Sequence, residues 1–340
     1  MSEKNDANKL RKANSWAQLA ARKAKSSGAG VKFTRVLGGG AYGNVFQAEM
    51  TAPTPVMSSG CSRGGVSLES LDREPVVKVA QEKRDTATVQ KKREYDLARW
   101  AFKYGFGPAV HCQATWDLGT EGVFHLIFME KMYSSLLHLA LDTEASMETK
   151  KLAWAFAFQQ LARVSKAKPP SIGLDLKPEN ILVSADSRGN LDGVFISDWD
   201  PQFWKSVPKS DEALLFNYVA LVSSVIFPAG AIPQLCEQLP SAARKFARRL
   251  VNDWSKSSEF RKYLIRWDAQ FIRGLYHYGL TQKELKKLME KKPEVRADAY
   301  LKALQSVAAH YGTFACDGEG LPVPGGSGDR VLKLAKARFG

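Results

Sequence analysis

The sequence predicts an α+β protein with two lobes. Three observations support this: a strand-rich front third, helical spacing that dominates from about residue 147 onward, and a length suited to two compact parts. At 340 residues the chain can bury one large core or two smaller ones. Hydrophobic residues at 44% and charged residues at 25% are those of an ordinary globular protein.

Taken in order, residues 1–30 read as a basic tail or helix ending in the flexible "SSGAG". Trp16, Leu19 and Ala20 would share a face if it is helical, although a partly ordered tail is the preferred reading. "VKFTRVLGGGAYGNVFQAEM" is two β-type segments joined by a glycine cluster, and residues 51–74, rich in Ser, Gly, Thr and Pro, form a surface loop. "PVVKVAQ" is a short buried-type strand. In "TATVQKKREYDLARWAFKYG" the residues Val89, Tyr95, Leu97 and Trp100 mark the apolar side of a helix that Gly105 stops. "GVFHLIFMEKM" is a strand and a linker.

"METKKLAWAFAFQQLARVSKAK" is a helix ended by Pro169 and Pro170. A hairpin region covers 171–200, and helices follow to about 310, one opening with Thr281 and Glu284 at capping-box spacing. A turn-rich stretch and a short basic helix close the sequence. The expected division is 1–30, a β-rich lobe over 31–132 with 51–74 as an inserted loop, a helical lobe over 133–312, and an extension over 313–340.

Composition narrows the function. The surplus of 49 Lys and Arg over 35 Asp and Glu, +14, favours phosphates, nucleic acid, anionic surfaces or acidic proteins, or is simply a solvated basic face. Cys61, Cys112, Cys236 and Cys316 form no C-x-x-C pair, so neither a disulfide framework nor a zinc site is expected and a reducing compartment is the default. The N-terminus lacks the apolar core of a signal peptide. The most apolar run, 218–232, is too short and too interrupted to span a membrane, and reads as a buried helix.

Four elements carry the chemistry. Gly38, Gly40 and Gly43 fit G-x-G-x-x-G, followed by Val45, and a strand on each side makes the loop a β-hairpin lid whose backbone can close over phosphate oxygens. Lys78, inside "PVVKVA", needs an anionic partner if it is buried. Glu94, mid-helix beside the apolar stripe, ranks first for that role, ahead of Glu82 and Asp96. In "DLKPENILV" an Asp at position 175 can orient and deprotonate a hydroxyl. Lys177 can neutralise a transferred phosphoryl group, and Asn180 can ligate magnesium through its amide oxygen. Finally, "VFISDWD" is a strand that ends in Asp198, a hard oxygen ligand of the kind magnesium takes.

In this order, "LGGGAYGNVF", "VVKVA", "DLKPENILV" and "ISDWD" resemble the protein-kinase superfamily over residues 32–230. The resemblance implies a small β-rich N-lobe, a larger helical C-lobe, and ATP with Mg2+ between them. It also implies that "FMEKM" is the hinge, where the C=O of Glu130 and the N–H of Met132 read the adenine edge and Met129 is gatekeeper. The implied activity is phosphoryl transfer to Ser or Thr of proteins, acidic ones among the candidates, in the cytoplasm, or in a host cell's cytoplasm if the source is viral or a bacterial effector.

The sequence departs from the family at three places. Gly173 and Leu174 stand where the catalytic loop has His-Arg, which implies activity without activation-loop phosphorylation. Asp198-Trp199-Asp200 replaces Asp-Phe-Gly, and Asp200 lacks glycine's freedom at positive φ, so the triplet is expected not to flip readily. No Ala-Pro-Glu segment follows, and Asn217 takes the place of a family Asp. The missing peptide platform keeps open a small-molecule kinase of the aminoglycoside or choline type, though "KPEN" and the full glycine loop look like a Ser/Thr protein kinase. A pseudokinase scaffold that uses its basic surface for nonspecific nucleic-acid binding is the remaining alternative.

Overall fold

The computed structural model describes residues 3–23, 30–40, 43–50, 75–82, 88–186, 188–201, 203–226, 235, 238, 239, 258, 261, 262, 265, 282–299, 301 and 302. The 51–74 loop, Thr281 of the expected capping box, and the C-terminal extension lie outside them. The fold is α+β. It divides into two compact units, Met1–Met132 with Ser197–Pro201, and Tyr133–Ile196 with Gln202–Gly340.

The first unit opens with helix α1 (Glu3–Lys23), then strands β1 (Val31–Gly40), β2 (Gly43–Met50) and β3 (Val76–Glu82). Helix α2 (Thr88–Lys103) and strands β4 (Val110–Asp117) and β5 (Val123–Met129) complete it. The strands form one antiparallel sheet in the order β1-β2-β3-β5-β4. Strand β4 was not recognised in the sequence. Its alternation of Val110, Cys112, Ala114 and Trp116 inward is sound, but the small residues give a weak apolar signal.

Period-two alternation gives the sheet two distinct faces. Val77, Val79, Phe124, Leu126 and Phe128 turn to one face, where they join a core with Phe33, Phe46 and Trp116. Lys78 turns to the other.

Helix α1 covers the apolar face, which corrects the preferred reading of a partly ordered tail. Ala13, Ala17 and Ala20 are buried at a helical spacing of four and three, and their small side chains let the helix axis approach the sheet. Trp16 packs on Phe124 with ring centroids 4.4 Å apart. β1 is an edge strand, and Asn14 covers part of that edge. Its Oδ1 accepts the Phe33 N–H at 2.9 Å and its Nδ2 donates to the Phe33 C=O at 2.8 Å. The sequence showed no sign of this because an asparagine in a polar helix carries no periodic signal.

Cys112 supplies a second correction. It is buried and disulfide-bonded. Wide cysteine spacing in the sequence therefore did not exclude a disulfide, and the inference of a reducing compartment loses that ground.

The second unit contains strand β6 (Ser134–Ser135), helices α3 (Leu136–Leu141) and α4 (Met147–Ser165), and strands β7 (Ser171–Gly173), β8 (Ile181–Ala185), β9 (Leu191–Ile196) and β10 (Trp204–Ser206). Ser135 and Ser146 cap α3 and α4, each accepting a backbone N–H three residues on. The apolar stretch at 218–226 belongs to α5 (Ser210–Ile226), and Ala213, Phe216, Val219, Leu221 and Val222 are at most 1% exposed, as an all-round apolar helix requires. Helix α6 (Gln282–Met289) follows. No described helix is long and apolar enough to cross a membrane.

Candidate active site

The sequence-predicted residues fall into two clusters, one in each unit. In the first, the β1–β2 hairpin carries the glycines. Gly40 pairs with Gly43 at its tip, and Gly38 pairs with Val45. The glycines are not equivalent. A Cβ on Gly43 would lie 2.8 Å from the Val79 carbonyl oxygen, so the close approach of β3 demands glycine there, whereas a Cβ on Gly38 would meet nothing within 4 Å. Val45 lies directly across from Lys78 and therefore shares its face of the sheet.

Lys78 finds the partner ranked first from the sequence. Its Nζ lies 2.5 Å from Glu94 Oε1 and 2.6 Å from Asp198 Oδ1. The Lys78 and Glu94 side chains are 15% and 4% exposed, and that of Asp198 is 29%. Burial pulls the Lys78 pKa down, but the charges and hydrogen bonds of Asp198 and Glu94 outweigh it and raise the value above the ordinary 10.5. The ammonium thus stays charged throughout the neutral range, bonded to both carboxylates.

Asp198 has φ 59 and is the one non-glycine residue at positive φ among those described. Aspartate tolerates this left-handed conformation better than most side chains. The unusual backbone of the Asp-Trp-Asp triplet therefore resides in its first residue. Trp199 and Asp200 are buried, and Trp199 packs edge-on against Trp100 of α2 at 5.9 Å. The same helix presents Glu94, so α2 meets the triplet through both an aromatic contact and the Lys78 bridge.

Glu130 and Met132 follow β5 at the end of the first unit's main segment. The Glu130 N–H donates to the Ala109 C=O at 2.9 Å, and its Oε2 accepts the Ala109 N–H at 3.2 Å. That fixes the Glu130 backbone.

In the second unit, Asp175 is held from two sides. Lys177 Nζ donates to both its carboxylate oxygens, at 3.0 and 2.8 Å, and Asn180 Nδ2 donates to its carbonyl at 2.9 Å and to Oδ2 at 3.1 Å. Alternation along the loop explains the arrangement. Leu174 and Leu176 are buried and anchor the backbone, while Asp175 and Lys177 between and beyond them are only half-buried. A single 3-10 turn at Pro178–Asn180 then brings Asn180 back beside Asp175.

The departures at 173 and 174 have a local cause. β7 pairs with β10, placing Trp204 opposite Gly173, and Leu174 N–H donates to the Phe203 C=O at 2.7 Å. A Cβ on Gly173 would lie 2.8 Å from Leu176 Cγ and 3.0 Å from Trp204 Cη2. The space a larger residue would need is already filled. Gly173→Ala is accordingly expected to destabilise the protein by about 2 kcal/mol, seen as a lower denaturant midpoint at unchanged slope. An unchanged midpoint would mean the packing gives way freely.

Asn217, flagged in the sequence, supports this loop from α5. Its Oδ1 accepts the Gly173 N–H at 2.9 Å, and its Nδ2 donates to Ser165 Oγ at 2.9 Å and to the Ser171 C=O at 3.0 Å. The roles of Ser165, Ser171 and Trp204 were not foreseen, since none belongs to a motif.

Among the described residues no group of three or more His, Cys, Asp and Glu could hold a metal by itself. Magnesium needs less, because it binds through one or two protein oxygens and keeps several waters. Asp198, partly exposed beside Lys78, offers a hard oxygen of that kind. No protein-family model matches the chain, and no curated protein is found to be similar to it.

Proposed function

We propose that the chain is a two-lobed, protein-kinase-like enzyme, with a small β-rich lobe and a larger helical one, that transfers the γ-phosphoryl group of ATP to Ser or Thr hydroxyls of proteins. The observation that carries the reading is Lys78 held by Glu94 and Asp198, three residues drawn from a strand, a helix and a distant segment. A buried ammonium with two carboxylates is poorly explained as stabilisation alone, since an apolar replacement commonly serves as well. Such an ammonium is suited to a triphosphate.

In this reading Lys78 positions the α- and β-phosphates, and the hairpin of Gly38, Gly40, Gly43 and Val45 closes over them. Glu130 and Met132 read the adenine through their backbone. Asp198 and Asn180 would hold magnesium, which screens the triphosphate charge. Asp175 orients the acceptor hydroxyl and takes its proton as the oxygen bonds to the γ-phosphorus and the bond to the bridging oxygen breaks, releasing ADP. Lys177 neutralises charge on the phosphoryl group in flight. Leu174 is buried where the family has a phosphate-reading arginine, which favours activity without phosphorylation of the segment after Asp198.

The test is labelled ATP and magnesium with protein made free of phosphate, offered acidic and basic proteins beside a panel of small alcohols. Label on protein Ser or Thr is expected. Label on small alcohols alone would replace this reading with a small-molecule kinase, and silence until the segment is phosphorylated would remove the claim of constitutive activity.

A further inference from the structure

Helix α1 does more than cover a sheet face. Lys9 lies one turn before Ala13 and so continues the stripe of Ala13, Ala17 and Ala20. Its side chain is 19% exposed, low for a lysine, and Nζ lies 3.7 Å from Asp6 Oδ1. This ammonium sits at the glycine hairpin: a Cβ built on Gly39 would come 3.3 Å from Lys9 Nζ and would collide with Asn44 Oδ1. At its other end the helix brings Lys23 Nζ to 2.9 Å from the position of a Cβ on Gly119, in the β4–β5 connection. Asn14 grips β1 between those two ends.

Register assigns the face. Asn44 pairs with Gly39 and with Val79, whereas Val45 pairs with Lys78. Asn44, Gly39 and Lys9 therefore meet on the face opposite Lys78. If the hairpin opens by moving away from Lys78, it moves toward the side where Lys9 stands.

We propose that α1 is a backstop for the glycine hairpin and that Lys9 is the positioning residue limiting its opening, which strengthens the hold on ATP. The inference rests on the hairpin being a nucleotide lid. Lys9 touches neither the nucleotide nor the acceptor, so its loss acts on nucleotide affinity and leaves the chemical step alone.

The experiment uses the full chain with Lys9→Met, which keeps the aliphatic stem, and Arg11→Met, which removes the same charge from an exposed position of the helix. Amide exchange over residues 36–46 and binding of a fluorescent ATP analogue with magnesium are measured on both, and the KM for ATP and kcat are compared. Lys9→Met is expected to speed exchange at the hairpin and weaken nucleotide binding about fivefold, with KM raised and kcat kept, while Arg11→Met matches the parent. Unchanged exchange and affinity in Lys9→Met would overturn the proposal, as would an equal effect of Arg11→Met. A parent protein that binds no nucleotide would instead sink the kinase reading and the claim on ATP, with the exchange comparison then deciding the brace by itself.

Discussion

Lys78→Met is expected to destabilise the protein by about 3 kcal/mol, because it removes the buried ammonium that Glu94 and Asp198 both bond. The loss should not add to that of a partner. In Lys78→Met with Glu94→Gln the second change removes a buried charge that has lost its Lys78 bond, so the double variant is expected to be more stable than Lys78→Met alone. Denaturant unfolding of the four proteins of the cycle measures this. Equal and additive losses would mean the bridge contributes nothing beyond its separate side chains.

The pH dependence of this effect has a definite sign. The Lys78 pKa is raised in the folded state, so its contribution is fully present below the unfolded value of 10.5 and is lost as pH rises through the folded value. The stability difference between parent and Lys78→Met should therefore hold steady from about pH 7 to about pH 9. In the proposed reaction the same variant should lose at least about 100-fold in phosphoryl transfer, since the triphosphate loses its positioning cation.

The second large effect concerns Asn217, which is fully buried. Asn217→Leu removes three hydrogen bonds and leaves the Gly173 N–H and the Ser171 C=O without this partner. At about 1–3 kcal/mol for each buried group left unsatisfied, the total loss is expected near 4 kcal/mol. Asn217→Asp separates the two halves of the amide. The carboxylate still accepts from Gly173, but it faces the Ser171 carbonyl where the amide donated.

Protonation of that aspartate supplies a donor and removes a buried charge, so the folded state holds its proton more tightly than the unfolded chain. The variant should then gain stability relative to the parent as pH falls and lose it as pH rises. A pH-independent difference between Asn217→Asp and parent would show that Nδ2 is dispensable. Because Gly173 lies two positions before Asp175, both variants are also expected to lower kcat in the proposed reaction.

The legibility of this molecule in its sequence follows from where information is local. The Lys78–Glu94 pairing could be ranked in advance because a lysine in an apolar strand demands a carboxylate and Glu94 sits beside a helical apolar stripe. Asp175, Lys177 and Asn180 lie within six positions, so a single turn assembles them and their spacing reveals it. The burial of α5 followed from its largely apolar composition. In contrast, α1 docks through alanines and one asparagine, residues whose contribution is close approach and edge pairing and not apolar area. Trp204 reaches Gly173 through a strand pair of three residues, too short to carry a pattern. The Cys112 disulfide depends on chain geometry that spacing does not encode.

The most direct measurement is label transfer from ATP to protein by the parent, Asp175→Asn, Asp198→Asn and the double variant, with each shown to be folded by its melting transition. If Asp175 and Asp198 serve a single phosphoryl transfer, each single variant falls to background and the double variant is no lower than either. Transfer at parental rates in Asp175→Asn or Asp198→Asn would contradict the account.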